Sequence, residues 1–421
     1  MAEGRSAMGS LSTAAPEKGT VAEVDVHGIS SRGAGVGRLE DGRAVFVPRT
    51  APGDRVRLRL TRVKPRWAEG TLLEVLEPSP DRREPLCTRY DVCGGCQLQH
   101  LPEDVQRAWK RSMVVEAFDR IGGLGRVDVP EVVASPEPVR YRNRMSFTLR
   151  RLRGGRVVAG LHGLERPGHV VEIHDECVLP EEPIERAWIQ LRQRWGPGAR
   201  ALPDGGRLRL TLRVRDDGGV GLIVSGGDAS WRPATLMDAV PELSSVVHEP
   251  DEGSPSPGFE QVNSGAAELL RAHVMEEAGE AATVVDAYCG VGPYGRALAA
   301  RGADVIGIEM DPEAVERAEV DAPAGFRVRT GKVERVLPEL SAPDALILNP
   351  PRTGVDDAVV ETVLDTRPRR LVYVSCDPAT LARDLSGLAS AYEVARVRCF
   401  DLFPQTAHVE TVVTMNLSRG G

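Results

Sequence analysis

The chain lacks any apolar run near the ~20 residues that a membrane-spanning helix requires. Its first residues, MAEGRSAMGSLSTAAPEKG, are small and polar, without the apolar core of a secretory signal, and residues 1–16 are expected to form a disordered tail. Cysteine is scarce, and the seven present are an odd number. Without an export signal, that speaks against a disulfide framework and turns attention to metal-binding or catalytic thiols. Surplus positive charge is missing too: 53 Lys and Arg stand against 61 Asp and Glu, a net charge of −8, whereas phosphate binding draws on cations. No internal repeat is present. What remains, 41% hydrophobic and 27% charged over 421 residues, is the composition of a globular cytoplasmic protein of two or three domains, read as a monomer.

The distribution of charge says more than its sum. In RVRLRLTRVK, Arg55, Arg57 and Arg59 alternate with Val56, Leu58 and Leu60, and a second such run, RLRLTLRVR, begins at Arg207. Period-two alternation puts the arginines on one strand face, and a solvated outer face is the plainest reading of either strand alone. Residues 17–77 hold five short alternating runs separated by Gly- and Pro-bearing turns, which predicts a small OB-like barrel. Within it, GAGVGRLEDGRAVFVPRTAPGDRV resembles the TRAM domain found on RNA-modifying enzymes. Residues 78–257 are mixed α+β, with a cysteine cluster and one helical stretch, EDVQRAWKRSMVVEAFDRI. EPDEGSPSPG reads as a linker. From 258 to 421, strands and helices alternate, which predicts a parallel sheet covered by helices and makes the fold class multidomain α/β with a Rossmann-like C-terminal domain.

Chemistry gathers at the ends of the predicted parallel strands. DAYCGVGPYG begins at Asp286, after an apolar strand, and Gly290 and Gly292 permit a sharp turn toward a helix N-terminus. Glu309, ending the next strand, is placed to accept hydrogen bonds from ribose hydroxyls. The turn departs from G-x-G-x-x-G, against a dehydrogenase; its D-x-x-C-G-x-G form resembles motif I of methyltransferases that use S-adenosylmethionine. Cys289 reads as a packing residue. NPPR at Asn349–Arg352 resembles the N-P-P-aromatic motif of amino methyltransferases, but Arg352 takes the aromatic position. VSCDPATLARDL sets Cys376 between an apolar strand and a helix, where the helix end is expected to lower the thiol pKa. DLFPQTAHVETV brings His408 and Glu410 onto a short strand.

F-x-Q-V-N at 259–263, DAYCGVG, the Pro-Pro-Arg loop, SCDP and FPQTAHVE follow the order of the RNA 5-methyluridine methyltransferases, and the chain resembles that family over nearly its whole length. The resemblance implies that Cys376 adds to C6 of a uracil, that C5 then takes a methyl group from S-adenosylmethionine, and that Glu410 removes the C5 proton. It also implies that Gln261, Tyr288, Glu309 and Asn349 contact the cofactor. The family usually carries aspartate at Asn349, so that contact is altered here.

Cys87, Cys93 and Cys96 form C-x5-C-x2-C, and Cys177 is a candidate fourth ligand. The spacing leaves a [4Fe–4S] cluster and a structural zinc open; relatives carrying CGGC favour the cluster. YRNRMSF at 141–147 interleaves cations with aromatics, as in a base-stacking surface or an ordinary half-buried strand. The expected partner is RNA, either 23S ribosomal RNA, toward which the cluster-bearing relatives tilt, or tRNA. Two rival functions stand beside this one: an amino methyltransferase working through Asn349, and a non-catalytic RNA-binding factor.

Overall fold

A computed structural model describes residues 17–215, 217–250 and 261–418. The expected tail and most of the expected linker lie outside the described residues, as does Phe259. The chain divides into two compact units, 1–84 and 85–421.

In the first unit, β1 (Val21–Ile29), β2 (Gly35–Arg38), β3 (Ala44–Val47), β4 (Arg55–Val63) and β5 (Trp67–Glu77) close into a barrel in the order β1-β2-β3-β5-β4. Alternation does the work: Val56, Leu58 and Leu60 point inward with Val24, Val26, Val45 and Val47, leaving the arginines of β4 outside. There they meet carboxylates. Arg55 pairs with Glu23 and Glu77, and Arg57 with Glu23 and Glu74. The solvated-face reading holds for this strand.

The second unit contains two sheets. The first is built from β6 (Arg144–Arg151), β7 (Val157–His162), β8 (Val170–Glu172), β9 (Arg207–Val214), β10 (Val220–Ser225) and β11 (Leu243–Glu249), ordered β11-β10-β9-β6-β7-β8. Helices α2 (Glu182–Arg194) and α3 (Ala234–Ala239) pack on one face, with Phe147 stacked on Trp188 at 3.9 Å between ring centres. Phe147 is thus a core residue, and Tyr141 is buried with its hydroxyl donating to the Pro404 carbonyl. YRNRMSF is a half-buried strand entry; its aromatics are not a stacking platform.

The second sheet holds β12 (Thr283–Ala287), β13 (Asp304–Glu309), β14 (Phe326–Thr330), β15 (Ala345–Leu348), β16 (Arg370–Ser375), β17 (Tyr392–Phe400) and β18 (Glu410–Leu417), ordered β14-β13-β12-β15-β16-β18-β17. Only β18 runs against its neighbours. Helices α4 (Ser264–Ala278), α5 (Gly295–Ala299), α6 (Pro312–Glu319), α7 (Val333–Val336), α8 (Asp357–Thr366) and α9 (Pro378–Leu388) cover it. Helix α1 (Glu103–Ala117), expected within a separate central domain, buries Val114 and Ala117 in the core of this sheet beside Leu381 and Leu385 of α9. That packing is why residues 85–421 form one unit instead of parting at 257/258. The first break likewise falls at 84/85, past the expected 77/78, because Arg82 clamps the buried Asp54 carboxylate of the barrel.

Candidate active site

Strand order reverses between β12 and β15, and the crevice at the carboxyl ends of such strands is where α/β sheets bind ligands. Its floor is the turn after β12. Asp286 is fully buried, accepts from the Gly295 N–H at 2.9 Å and is pushed up to about pKa 7 by burial. Gly290 and Gly292 adopt positive φ, and a Cβ on Gly292 would lie 2.8 Å from the Phe326 ring. Glu309 braces the turn, accepting from the N–H groups of Gly290, Met310 and Asp311. Cys289 is buried against Gly307, as a packing residue should be.

Above this turn lies a cavity of about 190 Å³ whose lining includes Gln261, Ser264, Cys289, Pro293, Tyr294 and Asn349. Among the described residues, the buried Gln261 Oε1 has no hydrogen-bond partner. An orphaned buried acceptor costs about 1–3 kcal/mol, so it marks a place where a donor is missing. Glu309 and Tyr288 do not line this cavity. Tyr288 has a positive φ, and its ring packs toward the core on the other side of the turn.

The reversal of β18 carries Glu410 to the same edge. Ser375 at the end of β16 pairs with Thr411, so the next residue on each strand, Cys376 and Glu410, meet just beyond the ladder. Glu410 is buried, and burial pushes its carboxyl up to about 8, opposed by the Arg352 guanidinium. Burial first, and the Glu410 charge second, push the Cys376 thiol up to about 11; Arg352 pulls it back. The expected lowering by the helix end is therefore overturned, because burial and the Glu410 charge outweigh it; Asp377, the N-cap accepting from the Ala379 and Thr380 N–H groups, adds a smaller raising charge.

Arg352 is held here by its loop. The Arg352 carbonyl accepts from Thr380 Oγ1, the Thr353 carbonyl from Arg383, and the Val355 N–H donates to Asp384, all on α9. His408 lies close by and is depressed to about 4 by burial, Arg352, Lys110 and Arg142, so it is a neutral imidazole at physiological pH. The loop from Asp401 to Val409 is pinned from α1: Lys110 forms a buried 2.6 Å ion pair with Asp401, and Gln106 bonds both the backbone and the side chain of Gln405. Asn263 caps α4 through Ala266 N–H and donates to the Leu402 carbonyl, which joins the cofactor side of the site to the Glu410 loop.

A second cavity is lined by Cys87, Cys93, Cys96 and Cys177, with Tyr90, Ile173 and Leu179. Burial pushes the thiols of Cys96 and Cys177 up to about 11 and 12, and that of Cys87 upward, and the cysteines raise one another further. The buried Arg142 guanidinium faces Cys96 and Cys177. Among the described residues, no three His, Cys, Asp or Glu side chains converge on one ion position. The cavity reaches the active site through backbone: the Gln97 and Leu98 N–H groups both donate to the Gln405 carbonyl.

The model of the tRNA (uracil-5-)-methyltransferase family matches residues 334–418, and that of the TRAM domain residues 16–73. An uncharacterized RNA methyltransferase of Nostoc is 34% identical over 96% of this chain and 98% of its own length. One from Thermosynechococcus vestitus is 35% identical over 96% and 99%. The chain belongs to the RNA (uracil-5-)-methyltransferase family. Among solved structures, the tRNA (uracil-54, C5)-methyltransferase of Pyrococcus abyssi in complex with S-adenosyl-L-homocysteine is similar at TM-score 0.72 and 26% identity, over 93% of this chain and 99% of that one.

For this RNA methyltransferase, the structure gathers Cys376 with Glu410, Gln261 with Asn349, and the four cysteines around one cavity. It leaves Tyr288 apart from the cavity and uses Glu309 in bracing the turn. Two residues gain importance beyond their sequence reading. Arg352 was legible only as a departure from an aromatic motif, and Arg142 only as one cation in YRNRMSF; their proximity to the thiols comes from loops joined in three dimensions.

Proposed function

We propose that this RNA methyltransferase methylates C5 of a uridine through a covalent adduct on Cys376. The observation that carries the reading is the pairing of Cys376 with the buried Glu410 beyond the β16–β18 ladder. The Cys376 thiolate adds to C6 of the uracil, and the electron pair moves through C5–C6 toward O4. C5, now nucleophilic, would take the methyl carbon while that carbon's bond to the donor sulfonium breaks, the electron pair staying on sulfur as a thioether. Glu410 takes the C5 proton, the electrons return to C5–C6, and the C6–S bond breaks to free the thiolate. A carboxylate near pKa 8 suits this work, since a base is most effective when its pKa lies near the working pH.

S-adenosylmethionine, when bound, supplies the electrophilic methyl group. The residues fit it: Gln261 offers an unpartnered buried acceptor, Asn349 lines the same cavity, and the positive-φ glycines open the turn after β12. Glu309 retains lone pairs for ribose hydroxyls beside its backbone bonds. With amide in place of carboxylate, Asn349 adds a donor to the cavity. An amino methyltransferase would have no use for the Cys376–Glu410 pair.

For the four cysteines the reading is a [4Fe–4S] cluster. Four thiols around a cavity with no single convergence point suit a polynuclear cluster better than one zinc ion, which needs four sulfurs at about 2.3 Å from one centre. The cluster would neutralise thiolates that burial otherwise disfavours. The methyl transfer needs no electron from it, so its role is to hold the loop that ends at Glu410.

RNA containing 5-fluorouridine tests the mechanism, because fluorine at C5 cannot leave as a proton and the adduct accumulates. A protein–RNA covalent band that depends on S-adenosylmethionine and on Cys376 is expected; its absence with RNA demonstrably bound would sink the mechanism. Mapping 5-methyluridine in ribosomal and transfer RNA from cells lacking the gene identifies the substrate. Iron and sulfide assays on anaerobically purified protein test the cluster: a colourless, zinc-containing protein overturns it.

A further inference from the structure

The two arginine-bearing strands look alike in sequence but have opposite surroundings. On β4, cross-strand register sets Arg55 against Asp25 and Glu77, and Arg57 against Glu23 and Glu74. On β9, register sets Arg207 against Arg150 and Arg213 against Arg144, with Arg209 against Thr148. Like charges directly opposite one another destabilise a sheet. Residues 144–162 and 205–215 carry five and four arginines respectively, and no Asp or Glu. The helices occupy the opposite face, where Met145, Phe147, Leu149, Leu208, Leu210 and Leu212 are buried. On the arginine side Arg150, Arg207 and Arg209 are exposed, Arg150 also donating to the Gly168 carbonyl, and the hydroxyls of Ser146 and Thr211 bond across the strands one pair further along. The nearest carboxylates in register belong to other strands, where Glu249 accepts from Ser225 and Glu172 pairs with Arg192.

We infer that the open face of this six-stranded sheet docks the sugar-phosphate backbone of the RNA, with Arg150, Arg207 and Arg209 as its phosphate contacts. The inference rests on the reading that the substrate is RNA. Electrostatic cost and position both support it: a surface that sets arginine against arginine is relieved by a polyanion, and the strand leads out from the active site. Asn143, immediately before β6, donates to the Gln261 carbonyl and the Ser264 hydroxyl beside the cofactor cavity. From Arg144 to Arg150 the strand then extends roughly 20 Å, a length spanned by several nucleotides.

The experiment measures binding of the full-length protein to a fluorescein-labelled, uridine-containing RNA hairpin across a KCl series. R207Q/R209Q is expected to weaken binding at least ~10-fold at 0.1 M salt and to flatten the slope of log K against log[salt] by about 1.5, as two lost phosphate contacts require. R207K/R209K should restore most of the slope, and R55Q/R57Q in the barrel should leave it unchanged. Unaltered affinity and slope in R207Q/R209Q, with an unaltered melting temperature, overturns the docking face; so does an equal loss in R55Q/R57Q. At saturating RNA the double variant should still form the 5-fluorouridine adduct at wild-type yield. If the wild type forms none, the chemistry fails while the docking result stands on its salt slope.

Discussion

Cys376 and the cysteines around the second cavity share one property and differ in everything else. Burial raises the thiol of Cys376 to about 11, as it raises Cys96 to about 11 and Cys177 to about 12. A raised thiol therefore does not separate nucleophile from ligand. The neighbours do. Cys376 is half-buried and faces two acids and one cation, Glu410, Asp377 and Arg352, at the carboxyl edge of a sheet. The other four face one another in an apolar cavity, where ionising all of them accumulates negative charge that Arg142 and Arg89 offset only in part. On the proposed reading, one environment would hold a thiolate briefly, while a substrate accepts its electrons, and the other would hold thiolates only with a bound metal centre.

The largest way to test that contrast is to replace one thiol of each kind. Cys376→Ser should lower methyl transfer by at least ~10³-fold and abolish the 5-fluorouridine adduct, while iron content and melting temperature stay at wild-type values. Cys177→Ser should do the reverse first: iron content collapses and the melting temperature falls by roughly 5–10 °C, from a few kcal/mol of lost stability. Activity then falls as a consequence, because Gln97 and Leu98, next to Cys96, hold the Gln405 carbonyl in the loop that leads to Glu410. Equal iron and stability in both variants would erase the distinction.

Glu410 gives the next effect. Its folded pKa of about 8 lies above the ordinary 4.5, so the native state keeps a proton that the unfolded chain has released. The stability this contributes is fully present below about pH 4.5 and is lost as pH rises through 8. Glu410→Gln removes the titration. Its unfolding free energy should match the wild type near pH 5 and exceed it increasingly toward pH 8.5, by up to about 5 kcal/mol at about 1.4 kcal/mol per pKa unit. A pH-independent difference between the two proteins would show that the carboxyl is not buried in its neutral form.

Much of this arrangement was legible in the sequence because it is local. Alternation gave the barrel core, the D-x-x-C-G-x-G turn follows β12, and Cys376 follows an apolar strand. What was not legible depends on register and on chain reversal. RVRLRL and RLRLTLRVR are nearly the same string, and only their partner strands decide that Arg55 and Arg57 face carboxylates while Arg207 faces Arg150. The helix EDVQRAWKRSMVVEA shows its amphipathic period in sequence, but that it packs on α9 is a tertiary fact. The sign of the Cys376 shift depends on burial in the folded chain and on Glu410 arriving from β18, 34 positions downstream by number.

Arg352 supplies the smallest effect and the sharpest one for the contrast, since it acts on Cys376 and Glu410 together. Its charge lowers the pKa of both Cys376 and Glu410. Arg352→Gln should therefore move the rising limb of adduct formation to higher pH, leaving fewer thiolates at neutrality and a rate three- to tenfold lower at pH 7. The side chain is exposed, so water and salt screen it, and the effect should stay below about one pH unit and shrink as KCl is raised from 0.05 to 0.5 M. Arg352→Lys should keep most of the wild-type profile, because charge at that place is what matters in this account. If Lys behaves as Gln does, the guanidinium acts through directed hydrogen bonds to the bound uracil or phosphate instead, and the pH profile of Gln will not move even though its rate falls.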